Sequence, residues 1–537
     1  GEIYLKQSNK IKITKRTINK DEIENEIERL HKALSEVQEE LSEIKNYISK
    51  KLGEEKAEIF QAHLMLLNDP ELIPAIESKI RKNKMSAEAA VEEIIGKYVQ
   101  IFEKMEDEYM KGRKADLQDV GDRIIKILSG QEKNNKKLDE KTVIVAEDLA
   151  PSDTAQFDTS FVQAFVTEQG SRTSHTAIMA QSLGIPAVVG VGQVLINNCN
   201  QGDTIIVDGN NGKVIIRPDS ATLKKYKKRS QKYEQAQQRL HSYIDKKTAT
   251  RDGKKIEGMG NIGNLNDLDS VLCQGGEGIG LFRTEFLYMN KEELPSEDKQ
   301  FEVYKKVAEK MKNKPVIIRT LDIGGGKDLP YLKLPSEKNP FLGYRAIRIS
   351  LACPDIFKSQ LKAILRASVY GNIKLMYPMI SSLKELHLAN EIFQQCCQEL
   401  QEAGQDYDEN MELGIMIEVP ATLMIAEALA DEVDFFSIGT NDLIQYMMAV
   451  DRNNEKIADL HTPYHPSVLR FIKQIIEAGH KKDIWVGMCG EAAGEELLLP
   501  FLIGAGIDEV SLGAVSILKI KKLISKLTVK ESEKIVN

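Results

Sequence analysis

The chain has 537 residues, of which 42% are hydrophobic and 29% are charged. Its formal net charge of −8 argues against an electrostatic surface for nucleic acid. It contains no run of roughly 18 apolar residues of the kind that spans a membrane. A chain of this length and composition can bury several hydrophobic cores, so we expect about two to four domains.

The six cysteines include no Cys-X-X-Cys pair, which argues against both a disulfide framework and a zinc site. We therefore expect a protein of the reducing cytoplasm. The sequence starts at Gly1 without a signal-like apolar stretch, so we expect a processed chain or one that begins inside a longer gene product.

The first long region has a helical pattern. From Ile23 to Leu52 the apolar residues recur in alternating steps of three and four, which is typical of one stripe of a long amphipathic helix. Helical patterning continues to about Ile127, and almost nothing in this region resembles a strand. The pattern predicts a helical hairpin or bundle domain over residues 19–130.

After the polar linker SGQEKNNKKLDE the pattern changes to short β-rich runs separated by turn residues: KTVIVAED, FVQAFVTE, PAVVGV, DTIIVDG and KVIIRP. These runs predict a small α/β domain over residues 131–217. Residues 219–247 are polar and free of Gly and Pro, which predicts an exposed connecting helix within a linker over residues 218–248.

The last region, residues 249–537, alternates strand and helix patterns, with candidate strands GMGNIG, GIGLF, VIIRT, IKLMYPM, GIMIEV, FFSIG, WVGMCG and EVSLG. Eight such units match the usual size of a (β/α)8 barrel, so the whole chain is predicted to be an α/β multidomain protein. Such barrels carry their chemistry at the C-terminal ends of the strands. Residues suited to chemistry follow or close the predicted strands there: Arg283, Arg319, Glu418, Asn441, Asp442 and Cys489.

The stretch GSRTSHTAIMAQSLGIPAVVG, residues 170–190, places His175 in the predicted first turn of a helix. Free N–H groups and hydroxyls at such a position can hold an anion. An imidazole there suits a covalent phosphoryl carrier, because its nitrogen attacks phosphorus near neutral pH. The alternative is a helix-capping turn with a histidine at its edge, which is the commoner use of such a stretch.

The predicted barrel mouth has a second set of candidates. Arg283 and Arg319 offer planar forks for phosphate and carboxylate, and Glu418 and Asp442 offer hard oxygen ligands for magnesium. Each also has a purely structural explanation, because an Arg-Thr-Glu stretch usually forms a local ion pair and a strand-end Asn-Asp usually caps a helix. Cys489 is either a small buried residue or a proton donor. Their joint position on one rim favours a functional site.

Eight motifs occur in one order along nearly the whole chain: GSRTSHTAIMAQSLGIPAVVG, GIGLFRTEFLYM, VIIRTLDIGG, NPFLGYRAIR, MIEVP, FFSIGTNDLIQY, AVDRNN and GMCGEAAG. Together they resemble enzyme I of the bacterial phosphoenolpyruvate-dependent sugar phosphotransferase system. The resemblance implies that His175 is phosphorylated through Nε2 and that Cys489 protonates the enolate to give pyruvate. It also implies substrate binding by Arg283, Arg319, Arg345, Asn441 and Arg452, and Mg²⁺ binding by Glu418 and Asp442.

The same resemblance implies the domain plan and the partners. Residues 1–18 and 131–217 would form a swinging phosphohistidine domain, into which the helical domain is inserted. That helical domain would bind the carrier protein HPr through the region GEEKAEIFQAHLMLLNDPEL. The barrel would bind phosphoenolpyruvate and form a homodimer. The expected activity is a phosphoenolpyruvate-protein phosphotransfer that starts sugar uptake, with no nucleic-acid partner and no membrane insertion.

The sequence departs from the family pattern in places. Ser171 stands where a second glycine is usual, and Gly326 replaces a common aspartate. The family's first strand and its last residues are expected to lie beyond the two ends of this sequence. Two other functions stay open: a phosphoenolpyruvate-sensing regulatory protein without turnover, and a dikinase-like enzyme that lacks its ATP-binding domain.

Overall fold

A computed structural model describes the chain at residues 1–6, 16–52, 54–67, 69, 71–103, 108–130, 140–149, 157, 161–170, 176–177, 180, 184–192, 194–289, 291, 293–325, 329, 331–332, 335, 337–452, 454 and 456–536. These residues form two compact units, Gly1–Lys232 and Tyr233–Asn537. The finer domain boundaries predicted above stay a prediction. Within the described ranges, no helix has both the length and the apolar character needed to cross a bilayer.

The first unit contains the predicted helical region. Its helices are α1 (Ile23–Leu52), α2 (Glu54–Leu67), α3 (Leu72–Asn83), α4 (Ala87–Glu103) and α5 (Glu108–Leu128). The heptad-like stripe of α1 faces inward, since Leu30, Val37 and Leu41 are fully buried and pack against apolar residues of the other helices. Helical packing of one apolar stripe, rather than propensity alone, therefore stabilises this region.

The first unit also contains a small parallel sheet. Its strands, in spatial order, are β1 (Glu2–Lys6), β2 (Thr142–Ala146), β3 (Val162–Thr167) and β4 (Ala187–Val188). The N-terminal strand β1 pairs in parallel with β2, which lies beyond the whole helical region in sequence. The remaining elements are helix α6 (Val194–Asn198) and an antiparallel ribbon of β5 (Ile205–Asp208) and β6 (Lys213–Ile216). Helix α7 (Ser220–His241) follows, and its residues from Tyr233 onward belong to the second unit. The side chains of α7 are almost all exposed, apart from the buried Leu240.

The second unit is a closed parallel barrel of eight strands, as the sequence predicted. The strands are β7 (Glu257–Ile262), β8 (Ile279–Phe282), β9 (Val316–Arg319), β10 (Ile373–Tyr377), β11 (Leu413–Ile417), β12 (Phe435–Ile438), β13 (Trp485–Met488) and β14 (Glu509–Leu512). Each strand pairs with the next in sequence, and β14 pairs with β7 to close the ring.

Helices surround this barrel: α8 (Leu265–Cys273), α9 (Glu297–Met311), α10 (Ile347–Ala352), α11 (Pro354–Ser368), α12 (Leu383–Glu402), α13 (Ala426–Ala430), α14 (Thr440–Met448), α15 (Pro466–Lys481), α16 (Leu499–Ala505), α17 (Ala514–Ile524) and α18 (Val529–Val536). Alternate strand residues point outward into the large core shared with these helices, for example Ile318, Ile415 and Val510. The other strand residues point inward, where Ile317, Met416 and others form a separate small apolar cluster.

Candidate active site

A buried ion-pair network lies at the C-terminal ends of the barrel strands. Arg319 is the last residue of β9, and its Nη2 contacts Glu285 Oε1 and lies 3.1 Å from Asp322 Oδ2. The guanidinium Nη2 of Arg345 donates to Asp322 Oδ1 at 2.8 Å and to Asp442 Oδ2 at 3.0 Å. All five side chains are buried. Asp322 thus joins the two arginines and fixes the distance between them.

The loop after β9 allows this close arrangement. Gly324 has a φ of +91°, which favours glycine, and a Cβ at this position would lie 2.6 Å from the Cβ of Arg345. The Arg345 side chain is also held from its other side, because its Nη1 donates to the Tyr446 hydroxyl at 3.1 Å. Tyr446 in turn donates to the carbonyl of Phe341 at 2.6 Å. The glycine-rich loop and Tyr446 therefore fix Arg345 in place.

Glu418 follows β11 directly, beside Asp442 in the first turn of α14 after the neighbouring strand β12. Its Oε1 accepts a hydrogen bond from the Met379 N–H at 2.7 Å. Burial, together with the nearby charges of Asp442 and Asp322, raises the pKa of Glu418 to about 8, and the two arginines oppose this rise. The mouth therefore holds more buried negative charge than its two buried arginines balance.

Because of this excess negative charge, we ask whether the residues fit a divalent cation. Asp442 Oδ1 is buried and makes no hydrogen bond within the described part of the chain, and the nearest guanidinium nitrogen of Arg452 is 3.7 Å away. Carboxylate oxygens are the ligands that Mg²⁺ prefers. No group of three or more His, Cys, Asp or Glu among the described residues is arranged to hold a metal. The two carboxylates thus fit a divalent cation as two of its oxygen ligands.

Two further predicted arginines lie at the same mouth with exposed side chains. Arg283 follows β8, which neighbours β9. The backbone N–H of Arg283 donates to the Ile262 carbonyl at 3.0 Å. Arg452 lies in the loop after α14, and 36% of its side chain is exposed. These two cations can therefore reach a ligand that enters the mouth from solvent.

Asn441, the second residue of α14, is half-buried. Its Oδ1 accepts a hydrogen bond from the Glu491 N–H at 3.0 Å, and its Nδ2 donates to Glu491 Oε1 at 3.1 Å. It therefore holds the short turn Glu491–Gly494 that follows β13, whereas the N-cap of its own helix is Gly439 and has no side-chain hydrogen bond. A contact between this amide and a substrate stays a prediction.

Cys489 follows β13 and points into the barrel, where it packs with Leu281, Met416 and Phe435. Burial raises the pKa of this thiol to about 12, so the group is protonated at neutral pH. A protonated thiol is the form that a proton donor needs. The structure thus agrees with both interpretations of Cys489, the small buried residue and the acid.

His175 and Ser171 lie outside the described residues, as does Gly326. Close to His175 in sequence, Thr176, Ala177 and Ala180 are helical, and the Thr176 hydroxyl donates to the Leu149 carbonyl at 3.1 Å. Gly170 has a φ of +108°. The carrier role of His175 therefore stays a prediction.

Sequence reasoning missed three members of the ion-pair network: Glu285, Asp322 and Tyr446. A local ion pair is the structural alternative for the Arg-Thr-Glu stretch, but Glu285 binds Arg319 of the next strand. Asp322 stands three residues after Arg319 in IIRTLD, a strand-end acid of the same kind as those that were found. Its position between two arginines depends on loop geometry that no spacing shows.

Models of one class of protein match all three parts of the chain. The phosphoenolpyruvate-binding domain of PEP-utilising enzymes matches residues 237–529, their N-terminal domain matches residues 1–113, and their mobile domain matches residues 138–212. The barrel domain alone covers more than half of the sequence. The fold and the mouth just described are thus those of a PEP-utilising enzyme.

Individual relatives narrow this class. A phosphoenolpyruvate-protein phosphotransferase of Priestia megaterium is 49% identical over 508 residues, which are 94% of this chain and 88% of that protein. The phosphoenolpyruvate-protein phosphotransferase of Bacillus subtilis is 49% identical over 96% of this chain and 90% of that protein. A solution structure of an Enzyme I protein is 46% identical, covers 44% of this chain and 94% of that chain, and has a TM-score of 0.39. The chain belongs to the phosphoenolpyruvate-protein phosphotransferase family.

Proposed function

We propose that the chain transfers phosphate from phosphoenolpyruvate to its own His175 and then to a histidine of the carrier protein HPr, releasing pyruvate. This would be the first step of sugar uptake and phosphorylation. The observation that carries the proposal is the mouth of the barrel, where Asp322 holds Arg319 and Arg345 together beside Glu418 and Asp442. Such an arrangement suits a small, multiply charged ligand with phosphate and carboxylate groups.

The arginines would bind and orient this ligand. Arg319 and Arg345 are already fixed by carboxylates, so positioning a phosphate against them costs little side-chain entropy. Arg283 and Arg452 would close on the phosphate from the exposed side of the mouth, and Asn441 would contact the substrate near Glu491. Phosphoryl transfer depends mainly on such positioning and on neutralised charge.

Glu418 and Asp442 would hold Mg²⁺, which when bound would supply positive charge to neutralise the phosphate and polarise the enolate oxygen. The protein's own contribution at this point is to keep two carboxylates close together despite their repulsion. The raised pKa of Glu418 has burial as its first cause and Asp442 as its second, so a cation there would relieve both effects.

Cys489 would supply the proton that turns the enolate of pyruvate into the methyl ketone. The thiol keeps its proton at neutral pH, and the enolate carbon is a stronger base than a thiolate, so transfer is favourable. The apolar neighbours of Cys489 exclude water from this side of the site. The proton therefore comes from a fixed group rather than from solvent.

His175 belongs to the N-terminal unit, whereas the arginines belong to the barrel unit. The proposal therefore includes a movement of the phosphohistidine domain, residues 1–18 and 131–217, about the linker over residues 218–248. HPr would bind the helical domain near α2, and two barrels would form the homodimer. A cytoplasmic reaction agrees with six cysteines that are all unpaired.

The test mixes the full chain with phosphoenolpyruvate, Mg²⁺ and HPr, and measures pyruvate and phosphorylated HPr over time. We expect both products in equal amounts, and neither from His175→Ala. A matched control is His387→Ala, an exposed histidine on α12 of the barrel, which keeps wild-type rates. Binding of phosphoenolpyruvate without any pyruvate would contradict the proposal and favour the sensing protein instead.

A further inference from the structure

A carboxylic acid lies inside the barrel and has no role in the reaction proposed above. Glu509 is the first residue of β14, and only 1% of it is exposed. Val510 and Leu512 point outward into the core shared with the helices, so Glu509 and Ser511 face the barrel interior. Cys489, just after the neighbouring strand β13, faces the same interior. The acid and the proposed proton donor therefore both face the barrel interior.

Two glycines on other strands make room for the Glu509 carboxyl group. A Cβ at Gly487 of β13 would lie 2.1 Å from Oε2, and a Cβ at Gly280 of β8 would lie 2.3 Å from Oε1. Both separations are shorter than a real contact, so a side chain at either position would displace the Glu509 carboxyl group. The Cβ position at Gly280 would also lie 2.6 Å from Ser511 Oγ. The carboxyl group and the Ser511 hydroxyl thus lie close together beside Gly280.

The carboxyl group is buried without a stable counter-ion. Neither oxygen makes a well-formed hydrogen bond within the described part of the chain, although the Met488 N–H lies near enough to offset part of the burial. Burial raises the pKa of Glu509 well above its usual range, and the charge of Glu257 adds to this while Lys374 opposes it. Lys374 is itself bound to Glu412 at 2.7 Å. Burial therefore favours the neutral, protonated form of the Glu509 carboxyl group.

Hydrogen bonds through Asn261 connect Ser511, which lies beside this acid, to Cys489. The Asn261 amide donates to the Cys489 carbonyl at 3.0 Å, and the Ser511 hydroxyl donates to the Asn261 carbonyl oxygen Oδ1 at 2.5 Å. Asn261 thus links Ser511, which lies beside the Glu509 carboxyl group, to the backbone of Cys489.

We propose that Glu509 is a relay residue that returns a proton to Cys489 after each turnover, through the part of the barrel interior beside Ser511. The inference rests on the proposed function, in which Cys489 gives its proton to the enolate and becomes a thiolate. The Glu509 carboxyl then loses its proton to the thiolate sulfur, which restores the thiol and leaves a carboxylate. The carboxylate takes a proton from water by way of Glu257, its exposed in-register neighbour on β7.

The direction of this transfer follows from the two groups. A thiol is ordinarily a weaker acid than a carboxyl group, so a Cys489 thiolate takes a proton from the Glu509 carboxyl group. A buried thiolate is costly, and substrate at the C-terminal mouth separates it from solvent on that side. A proton supply from the opposite end of the barrel therefore lets turnover continue while the mouth is occupied.

The test compares the first turnover with later ones. The full chain is mixed rapidly with excess phosphoenolpyruvate, Mg²⁺ and HPr, and pyruvate per chain is measured by quenched flow. Glu509→Gln keeps the shape of the side chain but cannot supply a proton. We expect its first pyruvate at the wild-type rate, because Cys489 starts protonated, and later turnovers slowed by roughly tenfold to a hundredfold. Glu509→Met, an apolar replacement of a buried acid, is expected to show the same split.

The controls separate the possible failures. Glu277→Gln changes another barrel carboxylate, one that accepts N–H bonds from Thr248 and Gly258, and should leave both phases unchanged. If the wild-type chain makes no pyruvate, the proposed function itself is wrong. If the wild type turns over and both Glu509 variants show the wild-type later rate, the relay is wrong. An equal loss in the first and later turnovers would show a purely structural role and would also overturn it.

Discussion

Two pairs of arginines at the mouth of the barrel differ in how the protein holds them. Arg319 and Arg345 are buried and paired with carboxylates, whereas Arg283 and Arg452 have exposed side chains. The inner pair has lost its hydration before any ligand arrives, and its orientation is already fixed. The outer pair loses its freedom only on binding. We infer that the inner pair serves both folding and catalysis, and the outer pair serves the ligand alone.

The largest effect should follow from removing an inner arginine. Arg319→Met leaves the carboxylates of Glu285 and Asp322 buried without this cation. Breaking a buried pair in this way costs about 3–5 kcal/mol, so we expect a matching loss in the free energy of unfolding, and no labelling by phosphoenolpyruvate. Urea denaturation measures the first and phosphate incorporation the second. An Arg319→Met chain as stable as Arg452→Met would remove the distinction between the two pairs.

The pH dependence of stability tests the surplus of carboxylates around the two buried arginines. The pKa of Glu418 is about 8, above its ordinary 4.5, so the folded chain binds this proton more tightly than the unfolded chain does. The contribution of Glu418 to the free energy of unfolding is therefore fully present below about pH 4.5. It is lost as the pH rises to about 8, at about 1.4 kcal/mol for each pKa unit. In EDTA, melting curves should show wild type losing stability against Glu418→Gln over this range. Parallel curves would contradict the raised pKa.

A smaller and more selective effect is expected at the outer pair. Arg452→Met removes an exposed cation, so the free energy of unfolding should change by less than about 0.5 kcal/mol. The kcat/KM for phosphoenolpyruvate should fall by roughly tenfold to a hundredfold, since a hydrogen bond to a charged group contributes about 1.5–3 kcal/mol. Steady-state kinetics and a melting curve measure the two. A loss of stability with unchanged kinetics would reverse the assignment.

The smallest expected effect is on metal dependence. Asp442→Asn keeps the side-chain shape and the acceptor toward Arg345, but it removes one charge beside Glu418. We expect about tenfold more Mg²⁺ for half-maximal phosphorylation by phosphoenolpyruvate. Phosphate exchange between His175 and HPr should be unchanged. If Asp442 only caps α14, stability falls while the magnesium titration stays the same.

The barrel could be predicted from the sequence because its strands are short apolar runs at regular spacing, and because strand ends in such a fold meet at one mouth. This placed Arg319, Glu418 and Asp442 together. The same reasoning could not find the pairing of Glu285 with Arg319, or Asp322 between two arginines, because both depend on side-chain direction after the strands end. Glu509 was also missed, since an acid in a β-rich run has no sequence signal of its burial.

The central claim is that His175 carries phosphate taken from phosphoenolpyruvate. The most direct measurement incubates the full chain with radiolabelled phosphoenolpyruvate and Mg²⁺, digests it at alkaline pH, and identifies the labelled peptide by mass spectrometry. We predict acid-labile, base-stable label on the peptide containing residue 175, and none in His175→Ala while His387→Ala is labelled as wild type. Full labelling of His175→Ala, or label on another residue, would contradict the account.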